Sequence, residues 1–467
     1  MKKLLSAVSI VLALSACETI KSSSATASSP VNTIAELQTP KNIIMVIADG
    51  MGPAYTSSYR YFNDDPLTEH VEETVFDRLL VGSASTYPAR ISGLVTDSAA
   101  GATALATGFK TYNGAIGLDV NKKSVETVLE FAKKQGKKTG VVVTSQINHA
   151  TPASYLAHNE SRENYNAIAD SYLDDGIKAD VYLGGGWKYF LRDDRNLIDE
   201  FKASGFQYID NYNALSDLKV KTPVIGLFAD KGLPSALDDS NSHRLSTMTK
   251  VAIQQLENKN GYFLMVEASQ IDWAGHSNDI AKAMAEMSDL AKTMIYLEEY
   301  VKQNPDTLVI LTADHSTGGL TIGANGKYEW NPEILRTMKS TPLAIAKEIS
   351  EKTITQNLLT ELLHFKVTDK EVEQIQLAKK NAFIKISTYK QLDKKTKSNT
   401  KKPMMSNIIA NSIKTIIDVR TNTGWTSGGH TGIDVPVHTL GKSSEQFKGK
   451  IDNTDIAKKI FLLLGKS

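Results

Sequence analysis

The sequence has little cysteine and almost no excess of charge, and each scarcity excludes a class of protein. One cysteine among 467 residues rules out a disulfide within the chain. The 53 basic residues nearly balance the 52 acidic ones, so the formal net charge of +1 gives no argument for binding to nucleic acid or to an acidic membrane surface. The composition, 41% hydrophobic and 22% charged, is that of an ordinary soluble globular enzyme. Any attraction for an anionic substrate must therefore be local.

The N-terminus predicts export and a lipid anchor. A short basic region precedes an apolar stretch over residues 4–14, which is too short to span a bilayer as a mature helix. The stretch ends in Leu-Ser-Ala-Cys17, which resembles the lipobox of bacterial lipoproteins. We expect a signal peptide over 1–16, lipidation of Cys17, a flexible tether over 17–40 and a periplasmic protein anchored to the outer membrane. The alternative is an ordinary secretory signal with a chance cysteine.

Four short apolar runs predict buried strands of a parallel sheet, because each is continuous rather than alternating. These runs cover residues 42–48, 139–144, 262–266 and 307–312. Each is followed by polar side chains of the kinds that bind metals: Asp49; His149 and Thr151; Glu267, Asp272 and His276; Asp314 and His315. Taken singly, such residues are more often turn, cap or core residues. Four together favour a site, since ligands bind at the carboxyl ends of open α/β sheets.

The ligand types point to more than one kind of metal. Imidazole with carboxylate suits zinc, whereas oxygen ligands alone suit magnesium. Asp272 and His276 stand four residues apart, which lets both reach one ion from a helical turn. Asp314 and His315 are adjacent and can both reach one ion from a loop, and His430 adds a later imidazole.

The segment 96–114 contains a candidate nucleophile. Ser98 lies where a helix is predicted to begin, and small residues follow it to about Ala106. A helix N-terminus favours phosphate, and small residues permit close packing beneath the site. A serine hydroxyl needs a base or a metal to activate it, and no histidine is its neighbour in sequence. On this segment alone, a capping role for Asp97 or Ser98 is the preferred interpretation.

Six segments, in order along the chain, closely resemble the alkaline phosphatase family. They are Asp49-Gly-Met-Gly, residues 96–117, His149-Ala-Thr-Pro-Ala with residues 158–162, residues 267–276, residues 312–319 and residues 426–432. The resemblance covers residues 41–322 and 424–440. It implies an α/β three-layer sandwich, in which a large, mostly parallel central sheet is flanked by helices. We expect the catalytic domain over 41–324 and 421–467, with a helical insert over 325–420.

The resemblance also implies the activity, which is hydrolysis of phosphate monoesters through a phosphoserine at Ser98. It implies two zinc ions, one held by Asp272, His276 and His430, and the other by Asp49, Asp314 and His315 with Ser98 as a further ligand. It implies a magnesium ion held by Asp49, Thr151 and Glu267. Arg162 would bind two phosphate oxygens as a bidentate fork, and Asp97 would orient it.

The sequence departs from the best-known bacterial pattern at two positions. His149 stands where some members have Asp, and Trp273 stands where they have Lys. Both are expected near the magnesium and the phosphate. His149 is open to three interpretations, as a direct ligand, a water-mediated neighbour of the ion or a phosphate contact, and we expect the second. His158 is expected to be structural.

The insert is the least informative part of the sequence. Residues 342–365 and 370–382 have amphipathic helical patterns, and Thr341 with Pro342 is a helix-start signal. The lysine cluster over 394–402 predicts a solvated loop without a nucleic-acid role. Three interpretations of the insert stay open: it covers the cleft, it forms a contact in a homodimer, or it does neither.

Three rival functions make different demands on the residues. A sulfatase would need a modified cysteine or serine in a different motif, and Cys17 is the only cysteine. A phosphodiesterase of the same superfamily usually lacks the third metal site and the arginine clamp, whereas Thr151, Glu267 and Arg162 are present here. A non-catalytic surface lipoprotein on an inactive phosphatase fold would lack ligands, and every ligand of the family is present.

Overall fold

The computed structural model describes residues 39–466. The predicted signal peptide, Cys17 and the predicted tether as far as residue 38 lie outside the described residues. Within 39–466, no helix has the length and apolarity needed to cross a membrane.

The strands of the described chain are mostly short, and ten of them form one sheet. In chain order they are β1 (Asn42–Ile47), β2 (Leu80–Ser85), β3 (Lys138–Gln146), β4 (Val181–Gly185), β5 (Gln207–Ile209), β6 (Val224–Leu227), β7 (Tyr262–Glu267), β8 (Thr307–Thr312), β9 (Ser316–Thr317), β10 (Leu320–Ile322), β11 (Thr423–Trp425), β12 (His430–Thr431), β13 (Val435–Gly441) and β14 (Gly449–Asp452).

The helices flank this sheet and connect its strands. They are α1 (Pro53–Asn63), α2 (Val75–Leu79), α3 (Ser98–Thr107), α4 (Val128–Lys134), α5 (Ala150–Leu156), α6 (Tyr165–Asp174), α7 (Trp187–Phe190), α8 (Leu197–Ala203), α9 (Arg244–Leu256), α10 (Gln270–Ser277), α11 (Ile280–Gln303), α12 (Glu333–Thr337), α13 (Pro342–Ile349), α14 (Gln356–Leu363), α15 (Asp369–Gln391), α16 (Lys394–Ser398), α17 (Met405–Thr421) and α18 (Asn453–Leu463). Short 3₁₀ turns cover Arg90–Ser92, Tyr212–Asp217 and Ser444–Phe447.

The large sheet has the strand order β14-β2-β13-β8-β1-β7-β3-β4-β6-β5. All pairs from β8 to β5 are parallel, and β13 is antiparallel to both β2 and β8. Every residue of β1, β7 and β8 is buried, as expected of parallel strands covered on both faces. The predicted α/β architecture with a large, mostly parallel sheet is therefore confirmed.

The four strands predicted to end near ligands are neighbours in the centre of this sheet, in the order β8-β1-β7-β3. The ends of β8, β1 and β7 are level, because Ile47 pairs with both Glu267 and Thr312, and Glu267 also pairs with Val143, three residues before β3 ends. The segments that follow these strands therefore leave one edge of the sheet side by side.

Residues 325–420 contribute helices α12 to α17. The Thr341 hydroxyl accepts a hydrogen bond from the N–H of Ala344, so the predicted helix start is correct. The amphipathic pattern over 342–365 forms two helices rather than one, since the chain leaves helical geometry between α13 and α14. The solvated loop predicted over 394–402 is wrong in part, because Asp393 caps the short helix α16 there.

Candidate active site

The candidate nucleophile lies at the first position of α3, as predicted. Asp97 precedes it as the N-cap, and its Oδ1 accepts a hydrogen bond from the Ala100 N–H at 3.0 Å. The helix is buried throughout. A Cβ atom on Gly101 would lie 3.0 Å from the carbonyl oxygen of Asp314, so a glycine is what lets that loop approach the helix closely. The small residues of α3 thus bring the nucleophile and one ligand loop together.

The other oxygen of Asp97 faces Arg162. Arg162 Nη1 donates to Asp97 Oδ2 at 3.0 Å, and the same oxygen accepts from the N–H of Gly114 at 3.0 Å. The two side chains are 19% and 21% exposed, respectively. One carboxylate therefore caps the nucleophile's helix and contacts the arginine, which is the arrangement expected if Asp97 orients Arg162.

The first ligand group is Asp272, His276 and His430. Asp272 and His276 lie one turn apart on α10, and His276 Nε2 is 3.3 Å from Asp272 Oδ2. His430 Nε2 is 3.6 Å from Asp272 Oδ1 and 3.1 Å from His276 Nε2. The outer nitrogens donate to backbone carbonyls, His276 Nδ1 to Gly428 at 2.8 Å and His430 Nδ1 to Thr96 at 2.9 Å. Both Nε2 atoms therefore keep a lone pair directed into the group.

The second group surrounds His315. Its Nε2 lies 3.1 Å from Ser98 Oγ, 3.2 Å from Asp314 Oδ2 and 3.5 Å from Asp49 Oδ1. The side chains of Asp49, Asp314 and His315 have no exposed surface. Burial, followed by the neighbouring carboxylates, raises the pKa of Asp49 and of Asp314 well above the usual value. Burial also lowers the pKa of His315.

Thr317 connects the first two groups, although it is not among the predicted site residues. Its hydroxyl donates to Asp272 Oδ1 at 2.6 Å, so the oxygen is free to accept from His315 Nδ1 at 3.2 Å. This leaves the lone pair of His315 on Nε2, which faces Ser98. Thr317 belongs to the matching segment 312–319, but only the fold shows that its hydroxyl reaches both side chains.

The third group contains Asp49, Glu267 and His149. Burial raises the pKa of Glu267 to about 7 and lowers the pKa of His149 to about 3. The predicted ligand Thr151 is also fully buried, on α5. His149 stands edge-on to Trp273, with ring centroids 5.9 Å apart. The structure thus places His149 beside two predicted magnesium ligands, with ligand atoms of the three side chains within 4.8 Å of one another. Its water-mediated role stays a prediction.

The polar atoms of these groups fit bound cations. Six of their buried atoms have no hydrogen-bond partner among the described residues: Asp49 Oδ1 and Oδ2, Asp314 Oδ2, Glu267 Oε1, Thr151 Oγ1 and His149 Nδ1. Buried carboxylates are costly unless they are paired or coordinate a metal. A divalent cation would remove the repulsion that raises the pKa values of these carboxyl groups.

His158 stands apart from the ligand groups. Its Nδ1 is 2.7 Å from the carbonyl oxygen of Gly117, and its Nε2 is 3.0 Å from Glu130 Oε1. Both ring nitrogens are thus engaged within the fold, as a structural histidine requires.

Comparisons with known proteins agree on one family. Residues 40–465 match the family model described as alkaline phosphatase. Alkaline phosphatase 3 of Bacillus subtilis (strain 168) is 46% identical over 434 residues, which cover 91% of this chain and 89% of that protein. A cold-active alkaline phosphatase from the psychrophile Shewanella sp. has a solved structure with 47% identity and a TM-score of 0.82, covering 91% of this chain and 100% of that one.

A third similar protein is the alkaline phosphatase from the Antarctic bacterium TAB5. A mutant of it, solved with Mg bound in its M3 site, is 27% identical to this chain with a TM-score of 0.65. The match covers 92% of this chain and 99% of that chain.

Proposed function

This chain belongs to the alkaline phosphatase family, and we propose that it hydrolyses phosphate monoesters through a covalent phosphoserine at Ser98. One observation carries the proposal. Ser98 Oγ lies at a helix N-terminus, 3.1 Å from His315 Nε2, a member of the second ligand group. Hydrolysis of phosphate monoesters is the activity that the family and the fold support.

The proposed cofactors are two zinc ions and one magnesium ion. The mixed imidazole and carboxylate groups, Asp272 with His276 and His430, and Asp49 with Asp314 and His315, suit zinc. The oxygens of Asp49, Thr151 and Glu267 suit magnesium, and a mutant of the TAB5 relative is recorded with that ion. When bound, such ions lower the pKa values of a hydroxyl and of a water, and they neutralise negative charge in the transition state.

The protein's own groups then perform the displacement. Ser98 Oγ forms a bond to phosphorus as the bond to the substrate's alcohol oxygen breaks, and the proton lost by the Ser98 hydroxyl leaves with the alcohol. The oxygen of a water molecule next bonds to the phosphorus of the phosphoserine, and the bond from phosphorus to Ser98 Oγ breaks. A proton of the water restores the Ser98 hydroxyl, and inorganic phosphate is released. Asp97 Oδ1 already accepts from the Ala100 N–H, so the N–H groups of Ser98 and Ala99, which have no partners within the helix, can bind the equatorial oxygens together with Arg162.

The test is an assay of residues 18–467 with zinc and magnesium supplied. A chromogenic aryl phosphate should be hydrolysed at alkaline pH, with loss of turnover on chelation and in Ser98→Ala. The matched control is Ser57→Ala, because Ser57 lies on α1 and, among residues 39–466, its hydroxyl donates only to the carbonyl oxygen of Pro53. Absence of monoester turnover in the metallated protein would contradict the proposal. Aryl diester and sulfate substrates run in parallel distinguish the phosphodiesterase and sulfatase alternatives.

Export and lipid attachment at Cys17 are a separate proposal, supported by the lipobox-like sequence alone. Cells that express the full chain should incorporate a labelled fatty acid into the protein, and Cys17→Ser should abolish the label. Fractionation of the same cells tests the outer-membrane location. Light scattering on the soluble form tests the homodimer that the resemblance leaves open.

A further inference from the structure

A large cavity adjoins the candidate active site. It has a volume of about 1210 Å³ and is lined by α10, the start of α11 and two helices of the insert, α13 and α17. His276 and Trp273 are among its lining residues. The His276 side chain is 41% exposed, whereas Asp314 and His315 have no exposed surface, so the ligand groups open to solvent on the side of His276. The cavity therefore begins where a substrate's alcohol portion would leave the site.

Lysines are the most abundant charged residues of this cavity, which we call the lysine cavity. They are Lys282, Lys347, Lys401, Lys402 and Lys414. Within the part of the chain that the structure describes, none of the five forms an ion pair with a carboxylate at 4.0 Å or less. The positive charges of these lysines are thus not paired with carboxylates at ion-pair distance.

Three aspartates also line the cavity, but their carboxylates hold the walls together. Asp238 accepts from the N–H and the hydroxyl of Thr341, both at 2.7 Å, and so fixes the start of α13. Asp279 caps α11, and Asp418 accepts from Trp425 Nε1 at 3.3 Å. These acids are occupied within the fold, and the lysines outnumber them.

The five lysines fall into two sets. Lys282 stands over the Trp273 ring at 5.6 Å, and Lys414 donates to the carbonyl oxygen of Ser277, so both belong to the wall. Burial lowers the pKa of each. The side chains of Lys347, Lys401 and Lys402 are exposed and have no hydrogen bond or ion pair within residues 39–466. The side chains of this second set are therefore available to bind a ligand.

We propose that the lysine cavity binds a second phosphate group carried by the alcohol portion of the substrate. The preferred substrates are then phosphate monoesters whose alcohol bears another phosphate. This inference rests on the proposed function and adds a substrate class to it. The lysine cluster of the sequence therefore has a role at its C-terminal end, where Lys401 and Lys402 enter the cavity.

The phosphoryl group that is transferred to Ser98 does not fill the lysine cavity. The volume of the lysine cavity exceeds the range of about 300–1,000 Å³ that is usual for small-molecule sites. The site around Ser98 binds the phosphoryl group that is transferred, so the residues of the lysine cavity contact the rest of the substrate. They add binding that is equal in the ground and transition states, and the effect is expected in KM rather than in kcat.

The test compares 1,4-butanediol monophosphate with 1,4-butanediol bisphosphate, which differ only in the second phosphate. The two scissile groups of the bisphosphate alone account for a factor of about two in kcat/KM. At low ionic strength, we expect kcat/KM of the metallated wild type to be about tenfold higher again for the bisphosphate than for the monophosphate. Raising the salt to about 0.5 M should reduce this ratio, because exposed charges are screened. The change should lie in KM.

The variant is the triple substitution Lys347→Gln, Lys401→Gln and Lys402→Gln, with Lys395→Gln on α16 as the matched control outside the cavity. The ratio of the two kcat/KM values should fall to about two in the triple variant and stay at the wild-type value in the control. A wild-type ratio near two, or an unchanged ratio in the triple variant, would overturn the inference.

Calorimetry separates this inference from the proposed function. The two butanediol phosphates are titrated into Ser98→Ala with and without the triple substitution. Tighter binding of the bisphosphate that depends on the three lysines supports the lysine cavity even if turnover fails, and equal binding overturns it. Absence of turnover with both compounds in the wild type would count against the proposed function.

Discussion

Arg162 donates a hydrogen bond to Asp97, the residue that precedes the candidate nucleophile, across 3.0 Å. The same aspartate caps the helix that begins at Ser98. The position of the arginine and the start of the helix are therefore set by one carboxylate. A change at Asp97 should act on phosphate binding through Arg162.

Asp97→Asn should weaken phosphate binding while keeping the helix cap, because asparagine is an equally good N-cap residue. We expect the inhibition constant for inorganic phosphate and the KM for an aryl phosphate to rise by about tenfold, the value of a lost charge-assisted hydrogen bond. Asp97→Ala should add a fall in melting temperature, because the cap is then lost. A phosphate inhibition constant that is unchanged in Asp97→Asn would contradict a positioning role.

The parts of the site that the sequence predicted are those that depend on nearby residues. The spacing of Asp272 and His276 placed both on one helical turn, and α10 has that geometry. The apolar runs predicted the four central strands, since a buried strand has a continuous apolar sequence. The small residues after Ser98 indicated a closely packed helix, and the contact of Gly101 with Asp314 gives the reason.

The parts of the site that the sequence could not predict depend on segments that are distant along the chain. His430 meets His276 across 154 positions, so only the family resemblance associated them. The role of Thr317 depends on two hydrogen-bond partners, one of which, Asp272, is 45 residues away in sequence. The lysine cavity arises where α13 and α17 face α10 and α11, and no local pattern in the insert indicates which helix faces contact that region.

Glu267→Gln should remove one metal ion from the protein. Glu267 is buried with Asp49, and its Oε1 has no hydrogen-bond partner among residues 39–466. Mass spectrometry of the metals should find about one equivalent less magnesium in the variant, with the zinc retained, and kcat should fall by at least about tenfold. Glu299→Gln is the matched control, because that side chain is 57% exposed. Equal magnesium content in wild type and Glu267→Gln would refute the assignment of the third group.

His438 should make the protein less stable in acid. Burial lowers the pKa of this histidine to about 4, and its side chain lies in the core at the edge of the Phe76 ring. Its folded pKa is below its unfolded value of about 6.5, so the unfolded state binds more protons between these values and stability rises with pH across that window. The contribution is lost as pH falls from about 6.5 to 4, and it amounts to about 3 kcal/mol.

The measurement is urea unfolding of the chelated protein at several pH values in this window. His438→Leu should lose less stability on acidification than the wild type, because leucine takes up no proton. His70→Gln, at an exposed histidine, should keep the wild-type dependence on pH. Parallel curves for wild type and His438→Leu would show that this histidine does not titrate as described.

Trapping of the covalent intermediate tests the central claim most directly. The metallated protein is mixed with an aryl phosphate, quenched in acid and digested, and the peptide that contains Ser98 is analysed by mass spectrometry. We predict the added mass of one phosphoryl group on Ser98, its absence in Ser98→Ala, and its disappearance once the substrate is exhausted. Full monoester turnover by Ser98→Ala, or a phosphoryl group found on another residue in its place, would contradict the account.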